Sequence, residues 1–503
     1  MMTAGPLIVE LPVADDFRPE YLRESGFIPL RLGDGTLEVA ARGTPAADLL
    51  EDLSLHYGAP VALIPVEPDA LEEAIRRTFA AGESVVELVR ALDAGEEFGP
   101  SLAGDELTDL RDLANQAPVV RYVNLLVREA HAAGASDIHL EAARDGLRAR
   151  LRVDGVLAES PSPPRGLQHA VVSRVKLLAG LDIAERRRSQ DGRIRVRLEA
   201  RDLDLRVSTV PTLHGESVVV RLLDHGGRPG SLGDLGMPPD LLAAMTRLAR
   251  RPHGILLATG PTGSGKTTTL YAALDLRDRV TEKILTVEDP VEYDLPGIAQ
   301  VPIRADGGMG FADALRGILR QDPDVLMIGE MRDGETARIA VQAAMTGHLV
   351  LSTLHTNDAP SAVTRLRDLG VEPYLVAATL EGVVAQRLVR RSCPSCLEQY
   401  DPDPRALAFL CGQPPAETDP RRRWERGVGC VECRGTGFRG RTGIFELLPV
   451  DEEVRAAALR AENGEALMTA ARGAGMRTLR EDGWRAVRAG LTTVEEVLRV
   501  LGA

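Results

Sequence analysis

The chain has 503 residues, 44% hydrophobic and 27% charged, the balance of a globular protein of about three domains rather than a disordered or fibrous one. No stretch approaches the ~18 uninterrupted apolar residues of a membrane span, and Met1 to Pro12 lacks positive charge ahead of an apolar run; this excludes a secretory signal and predicts a cytoplasmic chain that meets a membrane only through a partner. The net charge of −14 sits in residues 1–110, which carry 22 acidic and 7 basic side chains against 52 and 53 in the remainder, so a general nucleic-acid binder with a basic face is disfavoured.

Residues 1–80 read as a small α/β module. Phe27 to Leu32, the turn Gly33-Asp34-Gly35 and Thr36 to Ala40 predict a hairpin. Thr44-Pro45 opens a helix with proline at its first position, ending near Tyr57-Gly58. Val61 to Pro65 is a short apolar strand, and Asp69 to Ala80 an amphipathic helix with Leu71, Ile75 and Phe79 on one face. The acidity of this region suits either a dedicated partner or a merely soluble domain. Residues 81–112 read as an acidic linker with room for one helix.

Residues 113–226 form a second module. Val119 to Ala132 is an amphipathic helix. Arg148, Arg150 and Arg152 alternate with apolar residues in Leu147–Val153, and Arg193, Arg195 and Arg197 alternate with Ile194, Val196 and Leu198. That period predicts half-buried strands with an arginine-coated, mostly solvated outer face. Residues 227–503 form the largest module. Gly254–Ala258, Ile284–Val287, Val325–Ile328 and Leu349–Leu354 are buried-strand candidates between helical patterns, which argues for an α/β fold with a mainly parallel sheet covered on both faces. The C-terminal stretch is helical in pattern. Lysine is nearly absent: Lys176, Lys266 and Lys283 are the three, so each carries more information than an arginine does.

Gly260-Pro261-Thr262-Gly263-Ser264-Gly265-Lys266-Thr267 matches G-x-x-x-x-G-K-[ST], follows an apolar strand and precedes a helical run that begins with Thr268. The glycines let backbone N–H groups curl around phosphates, Lys266 would bridge the β- and γ-phosphates of ATP, and Thr267 would ligate Mg²⁺. Val325 to Glu330 is an apolar strand ending in an acid, with Gly329 where an Asp is usual, so the metal would be held through water and Glu330 would polarise the attacking water. Leu285 to Glu292 is another strand ending in acids, with Glu292 the rival to Glu330 and with Glu288 and Asp289 as further carboxylates or parts of a capped turn. His348 and His355 flank Leu349–Leu354, where they would sense a γ-phosphate or serve the structure alone. Cys393-Pro394-Ser395-Cys396 and Cys430-Val431-Glu432-Cys433 supply four thiolates at the spacing of a structural Zn²⁺ site; redox pairs are the competing reading. Cys411 is left over.

In order, Gly260–Thr268, Thr286–Tyr293, Leu319–Arg332 and Thr346–Asp358 resemble the Walker A, Asp box, Walker B and His box of the bacterial type II secretion and type IV pilus ATPases. Ala135–Glu141, Leu181–Arg193, Arg206–Arg221 and Ala385–Arg391 also look like segments of that family, so the resemblance covers about residues 110–503. It implies a RecA-like P-loop ATPase domain at 227–503 with a tetracysteine zinc subdomain at about 391–440, preceded by a PAS-like α/β domain at 113–226. It implies a homohexamer in which Arg206 and Arg221 reach the nucleotide, with Arg316, Arg320 and Arg332 as weaker candidates for contacts between subunits. It also implies that a missing Walker B Asp is normal.

The compact N-terminal module, the paired cysteines and the length look most like the type II secretion branch. There the first module docks on the cytoplasmic domain of an inner-membrane secretion protein, and the ATPase works with an inner-membrane platform protein. The expected activity is a Mg²⁺-dependent hydrolysis of ATP to ADP and phosphate that powers pseudopilus assembly and protein export. The alternative within the same fold is a type IV or DNA-uptake pilus assembly ATPase. An ATP-sensing module without hydrolysis and a nucleic-acid translocase are the readings outside it.

Overall fold

Strands of two burial patterns build this chain. Those before residue 225 mostly alternate between buried and exposed positions, whereas four of those after residue 253 are buried along their whole length. The computed structural model describes residues 17, 19–33, 36–43, 45–68, 70–72, 74–75, 85–94, 117–198, 201–224, 230–303, 309–412, 424–460 and 464–502. Its contacts fall into two units: Met1–Val153, Leu157–Arg195 and Leu205–Leu222 form the first, and Asp154–Val156, Val196–Asp204 and Leu223–Ala503 the second.

In the first unit β1 (Phe27–Gly33) and β2 (Thr36–Ala41) form the expected antiparallel hairpin, and β3 (Val61–Pro65) adds parallel to β2. The helix Ala47–Tyr57 stops at Gly58, whose φ of 66° suits a residue without a Cβ and lets its N–H cap Ser54 O. Phe27, Ile28, Leu37, Val39 and Leu53 make the core, joined by Leu71 and Ile75. The turn residues Asp34 and Gly35, and most of the helix expected over 69–80 including Phe79, lie outside the described residues. A helix does form within the expected linker, at Val85–Ala94.

The helix Ala117–Ala132 leads to a six-stranded sheet of β4 (Ala135–Ala143), β5 (Gly146–Val153), β6 (Val156–Ser160), β7 (Gln190–Leu198), β8 (Arg201–Thr212) and β9 (Gly215–Asp224), in the order β6-β5-β4-β9-β8-β7. The arginine alternation is present on β5 and β7, with Leu147, Ala149, Leu151 and Ile194 turned inward. Lys176, one of the three lysines, is 1% exposed and donates to Glu185 O at 2.6 Å and to the Glu216 carboxylate at 2.7 Å.

The second unit holds a seven-stranded sheet: β10 (Gly254–Thr259), β11 (Ile284–Glu288), β12 (Ala299–Pro302), β13 (Val325–Ile328), β14 (Leu349–Leu354), β15 (Leu380–Ser392) and, past the separate antiparallel pair of β16 (Leu397–Tyr400) with β17 (Trp424–Gly427), β18 (Phe438–Pro449). The order is β12-β11-β13-β14-β10-β15-β18, parallel except for the antiparallel pair β15–β18. All four expected buried strands are present, and apolar clusters cover both faces. The sequence reading left β15 and β18 unassigned, because a strand buried on both faces and carrying Gln386 and Arg387 mid-run shows neither alternation nor a clean apolar block.

The C-terminal helices Glu452–Leu459, Gly464–Gly473, Leu479–Arg488 and Val494–Leu501 follow, as the pattern predicts. Among the described residues no helix is long and apolar enough to cross a membrane. Glu496 ties the last helix to β15: its carboxylate, 1% exposed, accepts the Arg390 N–H at 3.0 Å, Arg390 Nη2 at 2.8 Å and Arg499 Nη2 at 2.6 Å. Burial opposes the charged form, but these donors outweigh it and hold the carboxyl at about 2 against an ordinary 4.5. A depressed pKa stabilises the fold above the unfolded value and loses that contribution as pH falls through the folded one, here between about 4.5 and 2. Glu496→Gln is therefore expected to lower the urea midpoint clearly at neutral pH, with the gap from wild type narrowing through that window. A gap independent of pH would show that the charge is not what holds the helix.

Candidate functional site

The loop Gly260–Gly265 joins the wholly buried β10 to the helix Lys266–Leu274. Gly260, Gly263 and Gly265 have φ of 146°, 77° and 86°, left-handed values that a side chain would strain. Pro261, Thr262 and Gly263 form the exposed crest, Ser264 is buried, and Thr267 and Thr268 are half-buried at the helix start, where the dipole favours anions. Lys266, only 8% exposed, folds its ammonium back onto the carbonyls of Gly260 at 2.9 Å and Pro261 at 3.0 Å. Burial lowers its pKa, and Glu330 and then Glu292 push the other way.

The carboxylates separate into two kinds. Glu288, the last residue of β11, is 1% exposed and accepts from the hydroxyls of Tyr271 and Thr286 and from Gln300 Nε2, so it belongs to a buried network. Burial and then the Glu288 charge raise the Tyr271 phenol far above its ordinary value, so Tyr271 stays a donor. Glu330, just past β13, is 15% exposed: Arg332 Nη2 lies at 2.5 Å and His355 Nε2 at 3.5 Å. Glu292 is half-buried, with its N–H 3.4 Å from the Tyr271 hydroxyl. Lys266, Glu330 and His355 thus meet at the carboxyl ends of the neighbouring strands β10, β13 and β14, where open α/β sheets bind ligands. The hydroxyls of Thr259 and Thr356, 2.7 Å apart, lock the end of β10 to the loop carrying His355.

Gly329 has a structural reason to lack a side chain. Its N–H donates to Val287 O at 2.8 Å, and a Cβ would stand 3.3 Å from that oxygen and 3.4 Å from Glu288 Cα. The pairing of His348 with His355 as phosphate sensors is corrected. His348 precedes β14 and His355 follows it, so a six-residue strand, about 20 Å long, separates them. His348 Nδ1 donates to Ala343 O at 2.8 Å and ends a helix instead.

Arg206 on β8 and Arg221 on β9 belong to the first unit, where Arg221, 61% exposed, donates Nε to Asp137 at 2.9 Å. In the second unit Arg316 pairs with Asp313 and Glu335, Arg332 with Glu330, and Arg320 is exposed. The sequence reading did not single out Gln386 or Arg387, which lie under the loop; a polar pair inside an otherwise apolar run was the available signal.

Cys393, Cys396, Cys430 and Cys433 converge, with all four sulfurs within 4.8 Å of one another. Cys393–Cys430, Cys396–Cys433 and Cys430–Cys433 stand 3.9, 3.8 and 3.7 Å apart. Four thiolates at ~2.3 Å from a tetrahedral zinc would be about 3.8 Å apart, so the donor set fits that ion. Cys433 Sγ also accepts N–H groups from Cys430 at 3.1 Å and Gly437 at 3.2 Å, and Cys396 Sγ accepts one from Gly429 at 3.4 Å. Burial works against the Cys433 thiolate, but these N–H groups and the thiols of Cys430 and Cys396 bring its pKa down to about 6, while burial pushes the Cys396 thiol up to about 11. Gly427 and Gly437 cross so closely that a Cβ on either would lie about 2 Å from the other's carbonyl oxygen.

The sequence profile of the family described as type II/IV secretion system protein matches residues 112–499, and that of the MshEN domain matches residues 6–85. The type II secretion system protein HxcR of Pseudomonas aeruginosa is 50% identical, over 94% of this chain and 96% of its own length. The type II secretion system ATPase E of Vibrio cholerae is 47% identical over 86% and 84%. The type IV pilus assembly ATPase PilB of Thermus thermophilus is 42% identical over 97% of this chain but 54% of its own length. Among solved structures, the ATPase DotB of Legionella pneumophila superposes with a TM-score of 0.55 at 20% identity, over 76% of this chain and 96% of that one, which shows the shared RecA-like P-loop fold.

Tyr271→Phe removes one donor to Glu288 without changing shape. It is expected to cost about 1–3 kcal/mol of stability, because a buried carboxylate is left short of a partner. Urea unfolding checks this, and an unchanged midpoint would mean that water or another group already satisfies Glu288.

Proposed function

The chain belongs to the type II/IV secretion system protein family, and on that premise we propose that it is the cytoplasmic ATPase motor of a type II secretion system. It hydrolyses ATP to ADP and phosphate to drive pseudopilus assembly and protein export. The observation that carries this is the convergence of Lys266, Glu330 and His355 beside the P-loop.

In this reading Lys266 leaves the carbonyls of Gly260 and Pro261 for the β- and γ-phosphates, and the N–H groups of the loop complete the cradle. Mg²⁺, which Thr267 would hold, neutralises charge on the phosphates when bound. Glu330 orients the attacking water, with Glu292 as the second carboxylate of the site. His355, beside Glu330, stands where it can report on the γ-phosphate. Arg206 and Arg221 close on the nucleotide in a homohexamer, their guanidinium groups offsetting the charge that develops as the phosphoryl group leaves. The N-terminal module docks on the cytoplasmic domain of an inner-membrane secretion protein, which with an inner-membrane platform protein places the motor at that membrane. The four cysteines hold a structural Zn²⁺. Assembly of a type IV pilus is the second reading, favoured by the likeness to PilB; the chain matches only about half the length of that relative but nearly all of HxcR.

Two outcomes test this. Glu330→Gln should cut phosphate release by about a hundredfold or more while leaving Mg-ATP binding intact, and Lys266→Ala should lose binding as well. Turnover surviving in Glu330→Gln would pass the role to Glu292. Metal analysis should find one zinc per chain, and stripping it should lower the melting temperature and open four thiols to a thiol reagent. Full stability without metal would refute the structural zinc.

A further inference from the structure

β15 is longer than the strand it flanks. Its pairing with β10 ends at Ala385 opposite Thr259, and the seven residues from Gln386 to Ser392 run on past the end of β10. This overhang is held in place by β18, with Gln386 opposite Phe445 and Arg387 opposite Ile444. The P-loop leaves β10 at this point and passes over it.

Successive strand residues face opposite ways, so the two polar side chains serve different ends of the loop. Gln386, 1% exposed, accepts the hydroxyl of Thr269, on the helix that follows the loop, at 2.5 Å. Its amide nitrogen lies 2.8 Å from where a Cβ on Gly265 would be. Arg387, 8% exposed, donates Nη1 to Gln386 O at 3.2 Å and Nη2 to Asn357 O at 3.1 Å, two residues past His355. At the other end of the loop a Cβ on Gly260 would stand 2.6 Å from Gln386 O and 3.2 Å from Arg387 Nη1. Gly260 also supplies one of the two carbonyls that hold Lys266. A loop with three left-handed glycines loses much backbone freedom when it is fixed around phosphates. A rigid support that fixes it beforehand removes that cost from binding.

We infer that Gln386 and Arg387 are positioning residues of the nucleotide site: a ledge on which the P-loop rests, with Gln386 setting its helix end and Arg387 tying its strand end to the segment that carries His355. This rests on the ATPase reading above.

The test uses the full chain and Mg-ADP as probe, with binding followed by calorimetry, kcat and KM by phosphate release, and folding by melting temperature. Gln386→Leu and Thr269→Val should each raise the Mg-ADP Kd and the ATP KM about tenfold, with kcat changing less than about threefold. The double variant should be no worse than either single one, since both break the same bond. Arg387→Lys keeps the charge but cannot span both carbonyls, so it should weaken binding like Arg387→Met. Thr269→Val conserves shape and keeps the test open if Gln386→Leu does not fold. Folded variants with Kd within about twofold of wild type, or single effects that simply add, would overturn the ledge. A wild-type chain that neither binds Mg-ADP nor releases phosphate would instead overturn the ATPase reading on which the ledge rests.

Discussion

Parallel pairing of β10 between β14 and β15 is the constraint from which the site follows. In a parallel sheet every carboxyl end lies on the same edge, so the loops after β10, β11, β13 and β14 must all leave on one side. That geometry brings Gly260–Lys266, Glu292, Glu330 and His355 together, although nearly a hundred residues separate the first from the last. It also carries His348 to the opposite edge, although only six residues separate it from His355. Distance along the chain is a poor guide here; the end of the strand on which a residue falls decides.

Four buried charges among the described residues are each answered by hydrogen-bond partners of opposite character, and how they are answered separates structure from chemistry. Lys176 meets Glu216, Glu496 meets two arginines, and Glu288 meets two hydroxyls and an amide. Glu446, whose carboxyl burial pushes up, accepts the N–H groups of Ala359 and Leu479 at the starts of two helices. Such groups are buried away from solvent and already partnered, so they belong to the framework. Glu330 is partly exposed, and its neighbours Arg332 and His355 are themselves largely exposed side chains. A carboxylate positioned in that way can take up a water and a phosphate's metal shell, which Glu288 cannot.

The long β15 links features that the sequence presents as unrelated. It flanks the P-loop strand, passes under the loop, pairs with β18, accepts the C-terminal helix through Arg390 and Glu496, and runs directly into Cys393. A metal in the cysteine cluster would therefore fasten the far end of the strand whose middle supports the nucleotide loop.

Local signals alone revealed much of this protein. The P-loop, the two C-x-x-C pairs, the four buried strands and the arginine alternation are each contiguous patterns, and a contiguous pattern reflects the backbone period or chemistry of its own segment. Resemblance of four ordered motifs then supplied the family. Tertiary structure alone separated the acids, since Glu288 and Glu330 both close apolar runs, yet Glu288 is the last residue of β11 and enclosed by Tyr271, Thr286 and Gln300, whereas Glu330 stands past the end of β13 beside Arg332 and His355. It alone decided that the two histidines lie at opposite edges and that Gln386 and Arg387 sit beneath the loop. The physical reason is the same in each case: burial, hydrogen-bond partners and strand-end position are set by neighbours distant in sequence, and no local period encodes them.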